Sequence, residues 1–256
     1  VFGADPIENG ARTGTIDPLL IAFSDQENAA EWEPLSTNTA GDLRCSAGSE
    51  IISAIRSRQE TLVWTDVALY SLQFVGPPFT FGLTLINEGV SLIGPNAAIN
   101  SPAGIFWMDK KGFYRYSGAV ENVRCSVQSY VFSDFEQGQA FQVFGALNKQ
   151  FHEVSWFYCS SGSTTIDRYV TYNYQENTWT IGQLERTAWL DEGIFSNPIA
   201  AGKNGSNYLY VHETGNDDDG SPMTNVFVQS GDFDLGEGED FQFIKRMIPD
   251  VRFDGS

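Results

Sequence analysis

Short apolar runs, most of them closing on an aromatic residue, alternate along this chain with polar stretches rich in Gly, Asn and Asp. Between residues 51 and 74 the pattern reads as a meander: runs at 51–56 and 61–64 flank the polar Ser57-Arg58-Gln59-Glu60, and a third run follows at 68–74. The same grammar returns at 141–146, 153–158 and 168–174 around the turn Asn148-Lys149-Gln150. It appears again at 199–201 and 208–212 around Lys203-Asn204-Gly205-Ser206. Five runs carry an aromatic anchor, Phe23, Trp64, Trp107, Trp156 and Tyr210, at intervals of 41, 43, 49 and 54 residues. Repeats of roughly 40–50 residues, each holding several strands, predict the stacked sheets of a β-propeller. The fold class expected is therefore all-β, with about five blade-like meander sheets.

This reading divides the chain in three. Residues 1–18, rich in Gly, Pro, Asp and Asn, read as a lead-in loop. Residues 19–230 form the β-propeller domain, and 231–256 are closing strands or the start of a further β module, with a strand resuming at 241–248. Gly76-Pro77-Pro78-Phe79 is expected to be a crossing between blades, because proline cannot donate to a sheet ladder. Residues 90–102 read as a strand and a loop leading into the Trp107 frame. A strand-like Val251-Arg252-Phe253 so close to the end suits a partial chain.

Composition agrees with this fold. The 256 residues suit one dominant all-β domain. With 19 Phe, 10 Tyr and 6 Trp among many Val, Ile and Thr, pleated surfaces are favoured, and helical periodicity of apolar positions is hard to find. The 15 basic and 33 acidic residues leave a net charge of -18, a field that repels phosphate, so tight nucleic-acid binding is disfavoured. A duct through which DNA must slide is nonetheless compatible with that sign. Cys45, Cys125 and Cys159 are odd in number and lack metal-ligand spacing, which points to small buried thiols. No apolar run approaches the roughly 20 residues of a membrane helix, and no signal-like segment opens the chain, so a soluble protein with no membrane insertion of its own is expected.

Candidate chemistry is sparse. His152 and His212 each adjoin a glutamate, but neighbours on a strand point to opposite faces. The nucleophile elbow, phosphate loop and metalloprotease signatures are missing. Asp217, Asp218 and Asp219 are weak candidates for a Ca²⁺ site, without the ligand spacing of an EF-hand, and a solvated acidic turn is the preferred reading. Asp25, Asp66 and Asp109 each follow an anchor by two positions. A glycosidase would need two of them in one pocket in unlike environments, whereas their repetition in one frame favours a turn role, accepting bonds from backbone N–H groups. No enzyme activity and no cofactor are expected, and the aromatics are assigned to packing between sheets.

The segment Ser24-Asp25-Gln26-Glu27-Asn28-Ala29-Ala30-Glu31-Trp32 leads to Thr61-Leu62-Val63-Trp64-Thr65-Asp66 and then to Phe74-Val75-Gly76-Pro77-Pro78-Phe79-Thr80-Phe81-Gly82. Together with Ile105-Phe106-Trp107-Met108-Asp109, Gly112-Phe113-Tyr114 and residues 234–249, it resembles the propeller region of bacteriophage tail proteins, of the tail nozzle or packaged-DNA stabilisation type of short-tailed phages. The resemblance covers most of the chain from about residue 20. It implies a virion component: a ring, six copies being the expectation, below the portal and adaptor proteins, extending the DNA channel, retaining the packaged genome and carrying fibres or spikes. The chain is shorter than a complete nozzle subunit. The alternative is a carbohydrate- or receptor-binding propeller module with exposed Trp and Tyr stacked on sugar rings.

Overall fold

The computed structural model describes residues 1–229 apart from 9, 192, 204, 216, 218 and 219, together with 243, 245, 246 and 248. Two compact units divide it, 1–212 and 213–256. The first begins with β1 (Phe2–Ala4), β2 (Ile7–Glu8), β3 (Ala11–Arg12), β4 (Asp17–Phe23) and β5 (Gly41–Arg44); β1, β4 and β5 pair as a first sheet and β2–β3 as a small ribbon. A second sheet follows in strict meander order, β6 (Ile51–Arg56), β7 (Thr61–Thr65), β8 (Ala68–Gly76) and β9 (Thr80–Glu88). The third is β10 (Ala98–Ser101), β11 (Gly104–Asp109), β12 (Gly112–Tyr116) and β13 (Val120–Val123). After a short helix α1 (Gln128–Asp134) and a 3-10 turn (Gln137–Gln142) comes the fourth: β14 (Phe144–Asn148), β15 (Glu153–Tyr158), β16 (Arg168–Asn173) and β17 (Thr178–Gln183). The fifth has three strands, β18 (Arg186–Leu190), β19 (Ile199–Gly202) and β20 (Leu209–Val211). The protein is all-β, and every strand pair among the described residues is antiparallel.

Consecutive sheets pack face to face, and the two-residue strand period sends alternate side chains to different neighbours. On the second sheet, Val63, Ala68 and Tyr70 join Leu19 and Ile21 of the first and Cys45 just after β5, while Leu62, Trp64 and Leu69 join the third. On the fourth, Val154, Trp156 and Val170 turn to the third sheet, while Phe157 and Phe144 pack toward Trp189 of the fifth. Middle strands are therefore apolar on both faces: Leu62, Val63 and Trp64 are all buried, as are Ile105, Phe106, Trp107 and Met108.

The first strands of successive sheets lie side by side in the order β6, β10, β14, β18. Asn100 Nδ2 donates to Arg56 O at 2.8 Å, Gly145 N–H to Asn96 O at 2.8 Å, and Trp189 Nε1–H to Leu147 O at 3.0 Å, so each joint holds a polar tie. Gly145 leaves no room for a side chain, since a Cβ there would lie 2.1 Å from Ile99 Cγ1.

Several expectations change. Residues 1–18 are not a loop throughout, because β1 pairs with β4 and a ribbon fills the interval; a three-residue strand defined by backbone pairing leaves almost no side-chain pattern to read. Gly76-Pro77-Pro78-Phe79 is not a crossing between sheets but the turn of the β8–β9 hairpin, where the ladder asks no N–H of the prolines. The run expected at 141–146 is a 3-10 turn up to Gln142 and a strand only from Phe144. The first compact unit closes at His212 rather than at 230. In the second unit the described residues include no helix and no named strand, and the rest of 231–256, with the strands expected there, lies outside the described residues.

Candidate functional site

The three anchor-linked aspartates are all occupied by backbone amides. Asp66 accepts the Ser49 N–H and the Ser49 hydroxyl, both at 2.7 Å, tying the β7–β8 turn to the segment that enters β6. Asp109 accepts the Ser91 N–H at 2.8 Å from the segment preceding β10, and Asp25 accepts the N–H and hydroxyl of Thr39 at 2.7 Å each. The three lie at the ends of strands in three different sheets, and their environments diverge. The Ser49 amide leads the interactions that hold the Asp66 carboxyl below the ordinary range, and the Thr39 hydroxyl does the same for Asp25. Burial instead raises Asp109, which is 5% exposed. A fourth staple went unread in the sequence: Asp167 accepts the Ser160 N–H and hydroxyl at 2.8 and 2.6 Å across the β15–β16 loop. The pairing of a Ser or Thr with an Asp at a strand end recurs in all four, but its variable spacing hides it.

The five aromatic anchors do not occupy one frame. Trp64, Trp107 and Trp156 are fully buried. Trp64 of the second sheet and Trp107 of the third face each other edge-on, ring centres 5.4 Å apart, and Trp107 also stacks on Tyr114. Trp156 packs on Phe113 of the third sheet, and its Nε1–H donates to Ala97 O at 2.9 Å. Phe23 is half-buried against Phe81 near the turn of the β8–β9 hairpin. Tyr210 departs from the pattern altogether: it lies on the third strand of its sheet, and the buried second-strand position opposite it is Ala200. Its ring is a platform for the Arg186 guanidinium, 4.0 Å from the centroid, whose Nε–H donates to His212 Nε2 at 3.1 Å.

The histidines sit outside the strands expected to hold them. His212 follows β20 and packs against Trp189. His152 lies in the β14–β15 turn with a positive φ of 59° and meets Tyr174 edge-on. Asp217 accepts the Gly220 N–H at 3.0 Å within an exposed turn, while Asp218 and Asp219 lie outside the described residues. Among the described residues no group of three or more His, Cys, Asp or Glu side chains is placed to hold a metal ion. The three cysteines are free; Cys45 and Cys159 are buried, Cys125 only partly, and burial pushes each thiol up to about 11.

Two features of the surface lie on the second to fourth sheets. Where β6, β10 and β14 meet, an open recess of about 310 Å³ is lined by Ser53, Ile55, Asn96, Ala98, Phe144 and Gly145 among others, with no ionisable side chain. The second is the end of the β8–β9 hairpin, where Phe74, Val75 and Phe79 are 70, 55 and 76% exposed. The prolines there mark a connection and conceal this surface. Its signal was charge: between Asp66 and Asp109 the only charged residue is Glu88.

No described helix is long and apolar enough to cross a membrane. No protein-family model matches the chain, and no curated protein matches it in sequence.

Proposed function

We propose that this chain is a structural virion protein of a phage tail, a propeller-bearing nozzle subunit that assembles into a ring, extends the DNA channel, retains the packaged genome and guides its ejection. The observation that carries this reading is the side-by-side order of the first strands of four successive meander sheets, the arrangement from which radially set blades are built. Two further features support it. Asp25, Asp66 and Asp109 are engaged in joining loops to strand ends, a structural use of carboxylates. The net charge of -18 suits a wall along which DNA slides without being held. Against the carbohydrate-binding alternative, the fully buried Trp64, Trp107 and Trp156 offer no face to a sugar ring.

Antibody labelling of intact particles, followed by electron microscopy, tests the proposal. Label on the tail below the portal is the expected result, together with ring-shaped assemblies of the purified protein. Label on the capsid surface or at fibre tips, or specific capture by a glycan array, overturns it.

A further inference from the structure

The β8–β9 hairpin is longer than its sheet needs. Both strands have nine residues, against five and four in β12 and β13 and six and six in β16 and β17. Strand β7 covers β8 only from Leu69 to Leu72, so Gln73–Gly76 and their partners from Thr80 to Gly82 run on as a two-stranded arm, roughly 13 Å beyond the sheet at about 3.3 Å per residue. This arm is braced beside its turn, where Gly76 pairs with Thr80 and Phe74 with Phe81. Phe81 packs edge-on against both Phe23 and Phe74, with centroids at 4.9 and 5.8 Å, and Thr80 Oγ1 donates to Thr39 O. Beside that brace, Phe74, Val75 and Phe79 are left mostly in solvent. An apolar tip pre-ordered in this way loses little conformational freedom on docking, which favours association.

Charge selects the occupant. Copies of a chain with net charge -18 repel one another wherever carboxylates meet, so a contact between copies belongs on a surface without them. From Ala68 to Asn87 there is no charged side chain, and most of the other long uncharged stretch, Gly89 to Met108, is buried. A basic partner or a nucleic acid would find no complementary charge on the arm. Edge strand β9 also lacks the lysines and prolines that usually guard a long edge against pairing. With roughly 150–250 Å² hidden by each fully buried aromatic ring, the tip supplies about half of the roughly 800 Å² that one partner contributes to a standard interface. We propose that the end of the β8–β9 hairpin is the arm by which one copy of this chain grips the next, the rest of the interface forming around it. This inference rests on the ring-forming reading above and names the surface that makes the ring.

Sedimentation velocity of the protein and of its Phe74→Ser/Phe79→Ser variant, over a concentration series at low and high salt, tests it. Phe79→Ser alone serves as the milder variant, with circular dichroism to verify that each remains folded. Expected is self-association of the unaltered protein that strengthens as salt screens the repulsion, at least a tenfold rise in the dissociation constant of the double variant, and a smaller rise for Phe79→Ser with unchanged thermal midpoint. Equal association of both proteins overturns the arm while leaving the ring. A protein that stays monomeric at every concentration and salt overturns both. Binding to phosphatidylcholine vesicles that the variant loses, without self-association, assigns the tip to lipid and overturns the proposal.

Discussion

The β7–β8 and β11–β12 hairpins look like two copies of one phrase, Leu-Val-Trp-Thr-Asp and Ile-Phe-Trp-Met-Asp, yet their tryptophans face opposite ways. Both hairpins close over two residues, Asp66-Val67 and Lys110-Lys111. Counted back from the turn, Trp64 is the second residue and Trp107 the third, so Trp107 corresponds to Val63 and Asp109 to Thr65. Cross-strand partners agree: Trp107 lies opposite Tyr114 as Val63 lies opposite Tyr70. Because a strand's side chains alternate, an offset of one residue moves the ring to the other face of the sheet. Trp64 consequently points onward to the third sheet and Trp107 back to the second, and the two meet in one interface. Likeness of phrase is thus a poor guide to equivalence of position, whereas distance from the turn is a good one.

The sharpest way to break this comparison is to truncate the two rings. Trp64→Ala and Trp107→Ala should each destabilise the protein by about 3–5 kcal/mol, read as a shift in the midpoint of guanidinium unfolding. The double variant should fall short of the sum by about 0.5–1.5 kcal/mol, the share that belongs to the edge-on pair. Strict additivity would mean that the two rings do not touch and that the phrases are in register after all. Trp156, turned to a different set of neighbours, should add independently to Trp64.

A smaller effect tests the positional match between Thr65 and Asp109. Thr65 is fully buried, and its hydroxyl accepts the Ala68 N–H at 3.0 Å inside the turn. Thr65→Val keeps the shape but leaves that N–H without its partner, at a cost of about 1–3 kcal/mol. An unfolding midpoint equal to that of the parent protein would show that water reaches Ala68 and that the site is less enclosed than its partner at Asp109.

How much of this was legible in the sequence follows from the same contrast. The strand at 51–56 and those around 61–64, 153–158 and 168–174 were readable because each couples a polar turn to an apolar run long enough to fix its period. Strand β1 and the first strand of the fifth sheet, β18, were not, since the one is three residues long and the other exposes most of its side chains. The burial of Trp64, Trp107 and Trp156 was also readable, from their place within apolar runs, but their facing was not. Facing depends on the closing turn, and both hairpins hide that turn behind an aspartate at the same distance from tryptophan. Tyr210 was misplaced for a related reason: the second-strand position of the fifth sheet is Ala200, too small to advertise itself. The prolines at 77 and 78 drew attention to a break in pairing and away from the apolar tip they carry.

The smallest effect separates the two aspartates themselves and does so by the sign of a pH dependence. Asp66 has a folded pKa below its ordinary value, led by the hydrogen bond from the Ser49 amide. Its contribution is therefore fully present above about pH 4, the unfolded value, and is lost as pH falls through the lower folded value. Asp109 has a folded pKa raised by burial, so protonation favours the fold. Its stabilising contribution is present below about pH 4 and is lost as pH rises through the folded value, leaving a desolvated carboxylate as a cost at neutral pH. Asn at either position retains one oxygen for the serine amide. Asp66→Asn should then destabilise by on the order of 1 kcal/mol at pH 7, after allowance for solvent screening, and by less below pH 4. Asp109→Asn should be neutral or stabilising at pH 7 and lose that advantage as the pH falls. Thermal midpoints of both variants against the parent protein between pH 3 and 7 check this, and differences that run with the same slope would return the two aspartates to a single frame.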